Sequence, residues 1–86
     1  MKIFMSKVTI YSTPTCHYCV MAKKFFQDNK VEYTDINVAE DQTKAEEMVK
    51  KTGQMGVPVI IVEKGNEENI IVGFNQGEVA KLLNIS

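Results

Sequence analysis

Within residues 7–29 the spacing of apolar side chains switches from that of a strand to that of a helix across a short loop. Residues 7–12, KVTIYS, are β-branched and half-alternating, which favours an extended strand. Pro14 ends that run. From His17 to about Asn29 the period lengthens. Cys19, Ala22, Phe25 and Phe26 share one helical face, while Lys23, Lys24, Gln27 and Asp28 face away. Lys23 and Lys24 therefore read as a solvated helix surface. A strand followed this closely by an amphipathic helix is the opening of a β-α-β unit, which narrows the fold to an α/β arrangement.

The remaining pattern extends that opening. Residues 31–36 read as a second strand with imperfect alternation. Residues 41–52 form a second helix with Ala45, Met48, Val49 and Thr52 as its inner stripe. Glu46–Lys50 and Glu47–Lys51 are i,i+4 pairs in the favourable orientation, and Gly53 is a natural helix stop. Residues 58–62, PVIIV, are a continuous apolar run of the kind found in buried strands. Residues 64–69 read as a polar turn and 70–72 as a short strand closing a hairpin. Asn75 can cap a last helix, with Glu78 as its reciprocal partner and Val79, Leu82 and Leu83 docking it. The expected order is β-α-β-α-β-β-α. It makes a mixed four-stranded sheet flanked by helices, in a single domain over residues 1–86 with 1–6 as a lead-in.

Composition narrows function by exclusion. With Lys+Arg 10 against Asp+Glu 11, the chain has no global attraction for nucleic acid or anionic lipid. No apolar run approaches the roughly 18 residues that cross a bilayer. Residues 1–6 are too short an apolar stretch for a signal peptide, so a cytoplasmic chain is expected.

The only two cysteines lie where the first loop passes into the first helix, in Cys16-His17-Tyr18-Cys19. A structural staple is a poor reading, because the stabilisation from a disulfide grows with the loop it closes and this loop is tiny. A metal site would need more ligands. Zinc usually takes four, and beside the cysteines only His17 is close, pointing away from Cys19 on a helix. Two thiolates could hold copper(I), though in a different order of elements. The redox reading draws on position. Cys16 falls at the helix N-terminus, where unpaired N–H groups and the positive end of the dipole favour thiolate. Cys19 begins the buried stripe one turn later, within bonding reach. Beside a β-α-β pattern, C-x-x-C is a redox motif.

Three segments together resemble a known family. YSTPTCHYCVMAKKFF is similar to the active-site strand, loop and helix of glutaredoxins. TGQMGVP at 52–58 and VGFNQGEVAKLL at 72–83 resemble their second and third motifs, so the likeness spans about residues 7–84. It implies the thioredoxin fold and a monomeric thiol–disulfide oxidoreductase without a bound metal. Cys16 would be the nucleophile and Cys19 the resolving thiol. Protein disulfides or glutathione mixed disulfides would be reduced, with glutathione as co-substrate. It further implies a cis peptide bond before Pro58, opposite Cys16, leaving the Val57 backbone free to pair with glutathione. Thr13, Tyr18, Gln54, Gly73, Phe74 and Asn75 would complete the glutathione cleft.

The departures from the family pattern are specific. Where glutaredoxins usually carry Pro between the cysteines, this chain has His17, whose protonated ring would favour the Cys16 thiolate. Thr13 replaces a lysine that meets a glutathione carboxylate. Phe74 replaces the second glycine of the third motif, and no acid follows in the next two positions. Weaker glutathione binding is expected. Gly73-Phe74 is similar instead to glutaredoxin-like redoxins that take electrons from thioredoxin reductase and serve ribonucleotide reductase. Some family members hold an iron–sulfur cluster between two protomers through the first cysteine, which leaves a non-enzymatic alternative.

Overall fold

In the computed structural model, which describes residues 6–53, 56–64 and 67–83, the central strand is β1 (Ser6–Ser12). It is followed by α1 (His17–Asp28), β2 (Thr34–Asn37), α2 (Gln42–Thr52), β3 (Val59–Lys64), β4 (Glu67–Val72) and α3 (Gln76–Leu83). The sheet order is β2-β1-β3-β4. β1 and β2 are parallel, joined through α1, whereas β1–β3 and β3–β4 are antiparallel. This is the mixed four-stranded sheet with helices that the order of patterns led us to expect. No described helix is long and apolar enough to cross a membrane.

Alternation along the strands divides the core in two. Val8, Ile10, Ile60, Val62 and Ile71 face one side, with Ala22 and Phe26 of α1 and Val79 of α3. Tyr11, Val59 and Ile61 face the other, with Met48 of α2. β3 is the strand buried on both faces, which explains its unbroken apolar run. α3 is held by more than Val79. The Lys64 ammonium donates to the Leu82 carbonyl at 2.7 Å, satisfying an orphan acceptor in the helix's last turn.

Several boundaries differ from the sequence reading, each for a local reason. β2 starts at Thr34, not at Val31. Lys30 has φ 58°, and the Val31 N–H donates back to the Phe26 carbonyl at 2.8 Å, so the chain first wraps the end of α1. Val31 and Tyr33 still pack on the core, but from this wrap. β4 starts at Glu67, three residues before the expected strand, with Glu67 and Glu68 opposite Lys64 and Glu63. An edge strand exposed to water tolerates such charges, and they mimic a turn in the sequence.

On α2, Met48 is buried but Val49 is exposed, so the inner stripe is narrower than expected. The expected partner of Lys51, Glu47, bonds Lys44 instead, and Lys51 reaches across to Glu68 on β4. Asp41 caps α2, accepting from the Lys44 N–H at 3.1 Å, and Gly53 ends it at φ 72°. Asp41→Ala should lower stability by about 1 kcal/mol, read as a lower denaturant midpoint at unchanged slope. The lead-in residues 1–5 and Gln54 lie outside the described residues.

Candidate active site

Strand register gathers the family motifs at one edge of the sheet. Ser12, the last residue of β1, pairs with Asn37, the last of β2. Tyr11 pairs with Val59, the first residue of β3, and Val59 pairs with Val72, the last of β4. The loops that leave β1, enter β3 and leave β4 therefore open on the same edge. They carry Thr13 to Cys16, Val57-Pro58 and Gly73 to Asn75.

The cysteine loop is closed by its own backbone. The Cys16 N–H donates to the Thr13 carbonyl at 3.2 Å, and the Cys16 carbonyl accepts from the Val20 N–H at 3.2 Å, starting the helix. Cys16 is thus the N-cap of α1, with extended φ and ψ of −84° and 113°. Its Sγ takes the role usually played by a serine or aspartate oxygen, accepting from the Cys19 N–H at 3.1 Å. The first turn of α1 contains no acidic residue, so no carboxylate there opposes negative charge on that sulfur.

Cys16 is half-buried, whereas Cys19 is 0% exposed and belongs to the face that α1 turns inward with Ala22 and Phe26. The two Cα atoms lie 5.2 Å apart and the sulfurs are joined as a disulfide. One thiol can be approached from outside; the other can be approached only from its partner.

The neighbouring segments divide into framework and free surface. The Val57–Pro58 peptide bond is cis, and Pro58 is fully buried. The Pro58 carbonyl accepts from the Gly73 N–H at 2.8 Å, locking the third loop to the second. Gly73 adopts φ 86°, a conformation that any side chain would strain. Among the described residues the Val57 backbone takes no hydrogen bond. Tyr18 is 60% exposed and touches His17 edge-on, with ring centres 6.0 Å apart.

Two residues that the resemblance assigns to the glutathione cleft also have structural duties. Phe74 is half-buried, its ring 5.9 Å from that of Phe25 on α1. The Asn75 side chain caps α3, accepting from the Glu78 N–H at 3.1 Å. Among the described residues no cluster of three or more His, Cys, Asp or Glu could hold a metal ion.

One group beside the loop escaped the sequence reading. Ser12 is 2% exposed, and its hydroxyl donates to Asp35 Oδ1 at 2.6 Å. Lys23 donates to Asp35 Oδ2 at 2.9 Å. Lys23 is consequently not the freely solvated lysine expected: its side chain is 23% exposed, against 73% for Lys24. Partial burial pushes the Asp35 carboxyl up, but the Ser12 hydroxyl and the Lys23 ammonium outweigh it and hold the carboxyl below its usual value. A signal was present. Ser12 continues the inward row of Val8 and Ile10, and a hydroxyl at a core position must find a partner.

Comparison with known proteins bears on both fold and site. The family model described as glutaredoxin matches residues 8–66. An uncharacterised glutaredoxin-like 8.6 kDa protein in the rubredoxin operon of Clostridium pasteurianum is 43% identical, over 88% of this chain and 96% of that protein. The glutaredoxin-like protein NrdH of Lactococcus lactis subsp. cremoris is 32% identical, over 87% of this chain and 97% of that one. Among solved structures, Methanosarcina acetivorans methanoredoxin superposes with a TM-score of 0.76 at 27% identity. That match covers 90% of this chain and 83% of methanoredoxin.

Proposed function

The chain belongs to the glutaredoxin family of thiol–disulfide oxidoreductases, with the thioredoxin fold, and from that premise we propose how its site works and what feeds it. Cys16 is the nucleophile. Its thiolate attacks one sulfur of a protein disulfide or a glutathione mixed disulfide. The second sulfur leaves as a thiolate, and the first stays bonded to Cys16. Cys19 then loses its proton and attacks Cys16 Sγ, which releases the reduced thiol and leaves the 16–19 disulfide. Two glutathione molecules return the pair to the dithiol and emerge joined as glutathione disulfide, so two electrons pass in each cycle.

The observation that carries this reading is the asymmetry of the pair: a half-buried sulfur capping α1 and a fully buried one a turn behind it. The first is stabilised as thiolate and reachable; the second is protected from wasteful reaction until the first has been captured. The Val57 backbone, which takes no hydrogen bond among the described residues, favours a peptide-like co-substrate such as glutathione, pairing in an extended conformation. Tyr18 and Thr13 would flank it, with Gly73 to Asn75 beyond and Gln54 supplying a further contact. The cell interior is the matching compartment, because its reducing poise keeps such dithiols cycling.

A second reading has its own support. Phe74 is used in packing against Phe25, and Thr13 offers no charge for a glutathione carboxylate. The NrdH relative matches over nearly the full length of both chains. On this reading a thioredoxin-reductase type of flavoenzyme supplies the electrons, with ribonucleotide reductase as one acceptor. Supplying each donor separately to the oxidised protein decides between them. Glutathione with glutathione reductase should sustain turnover with a weaker apparent affinity than a typical glutaredoxin shows. Turnover with thioredoxin reductase alone would transfer the assignment to the second reading.

A further inference from the structure

The carboxylate of Asp35 lies where three elements meet. Ser12 ends β1, Asp35 belongs to β2 and Lys23 to α1. Each carboxylate oxygen takes one of the two bonds, at 2.6 Å from the Ser12 hydroxyl and 2.9 Å from the Lys23 ammonium. The sequence positions of the two donors are informative. Ser12 directly precedes Thr13, whose carbonyl receives the Cys16 N–H. Lys23 follows Cys19 by four residues, one helical turn farther along the same helix. One side chain therefore ties down both ends of the segment that carries the two sulfurs.

We propose that Asp35 is a positioning residue for the redox reaction, acting with Ser12 and Lys23 to hold the cysteine loop and the first turn of α1 in register with β1. The inference rests on the reading of Cys16 as a thiolate nucleophile. Helix amides stabilise a thiolate only while they point at it, and their effect fades within one turn. The Cys19 N–H meets Cys16 Sγ at 3.1 Å, and the Thr13 carbonyl anchors the Cys16 amide. If the end of β1 moves relative to α1, those donors lose their aim before the fold itself is lost.

The strap also explains a buried hydroxyl. Ser12 is the hydrophilic residue among the fully buried ones described, in a row whose other members are Val8 and Ile10. For stability alone a pair of apolar side chains at the positions of Ser12 and Asp35 would serve about as well. A hydroxyl there makes sense if the bond to Asp35 fixes a geometry. The groups bonded to Asp35 are the Lys23 ammonium from α1 and the neutral Ser12 hydroxyl from β1, while Lys24 and Tyr33 line the same groove without bonding it, Lys24 pairing with Asp28 and the Tyr33 hydroxyl accepting from Gln27. At neutral pH the carboxylate is ionised and the Lys23 pair is closed, so removing Ser12 alone leaves every charge in place.

That property makes Ser12→Ala the cleanest test. The rate of Cys16 alkylation is followed against pH in the reduced protein. In the parent the midpoint should lie well below the ordinary thiol value of about 8.5. In Ser12→Ala it should move alkaline by roughly half to one pH unit, which is about a three- to tenfold slower reaction below the midpoint. Asp35→Ala combined with Lys23→Met, which removes both charges together, should give a similar shift. Adding Ser12→Ala to that pair should shift it no further, because the same bond is already gone. Lys23→Arg should keep the parent profile, as should Lys24→Met, which breaks only the exposed pair with Asp28.

A lower melting temperature with an unmoved pH profile would make the strap merely structural and overturn the proposal. So would shifts that simply add. A parent midpoint near 8.5 would instead count against Cys16 as the nucleophile, so the two failures are distinguishable.

Discussion

Cys16→Ser should reduce turnover to the uncatalysed background with every disulfide substrate and every electron donor. The hydroxyl can still cap α1, so the fold should survive with little change in melting temperature. What disappears is chemistry. A serine hydroxyl stays protonated at neutral pH, cannot attack sulfur usefully and cannot carry a disulfide through the cycle. Cys19 cannot substitute, because it is fully buried and turned toward the core with Ala22 and Phe26. The check is a reductase-coupled assay with both an intact protein disulfide and a glutathionylated peptide. Residual activity near that of the parent would reverse the roles of the two sulfurs.

Cys19→Ser should separate two activities that the parent combines. Reduction of protein disulfides should fall by orders of magnitude, because no second thiol remains to release the captured protein. The mixed disulfide with Cys16 should accumulate and be visible as an adduct in the intact mass. Removal of glutathione from a small mixed disulfide should continue, since free glutathione can resolve the Cys16 adduct from solution. Loss of both activities would mean that Cys19 also shapes the Cys16 site. Retention of both would mean that it takes no part in resolution.

The fold was legible because its signals are local. The strand-to-helix switch around Pro14, the apolar run of β3, the Asn75 cap and Gly53 as a left-handed stop all depend on near neighbours, and the structure has each of them. The cysteine pair was legible for the same reason: three residues on a helix start fix which cysteine is partly open to solvent and which is buried. What sequence spacing missed depends on distant partners. β4 hid behind Glu67 and Glu68, whose charges suit an edge strand as well as a turn. Lys51 chose Glu68 across the sheet over Glu47 on its own helix.

The Ser12–Asp35–Lys23 contacts were missed because they join residues up to 23 positions apart, from three elements whose mutual placement no local pattern encodes. Phe74 illustrates the opposite difficulty. A family motif marks it as a cleft residue, while its ring packs on Phe25. A motif names a position but not the direction in which its side chain is used.

The most direct measurement is the ultraviolet absorbance of thiolate in the fully reduced protein, recorded through a pH titration. One thiol should ionise well below 8.5, where an unperturbed cysteine titrates. That step should vanish in Cys16→Ser and persist in Cys19→Ser. If both thiols instead titrate at or above 8.5, or if the early step follows Cys19, then the start of α1 does not hold the reactive sulfur as described.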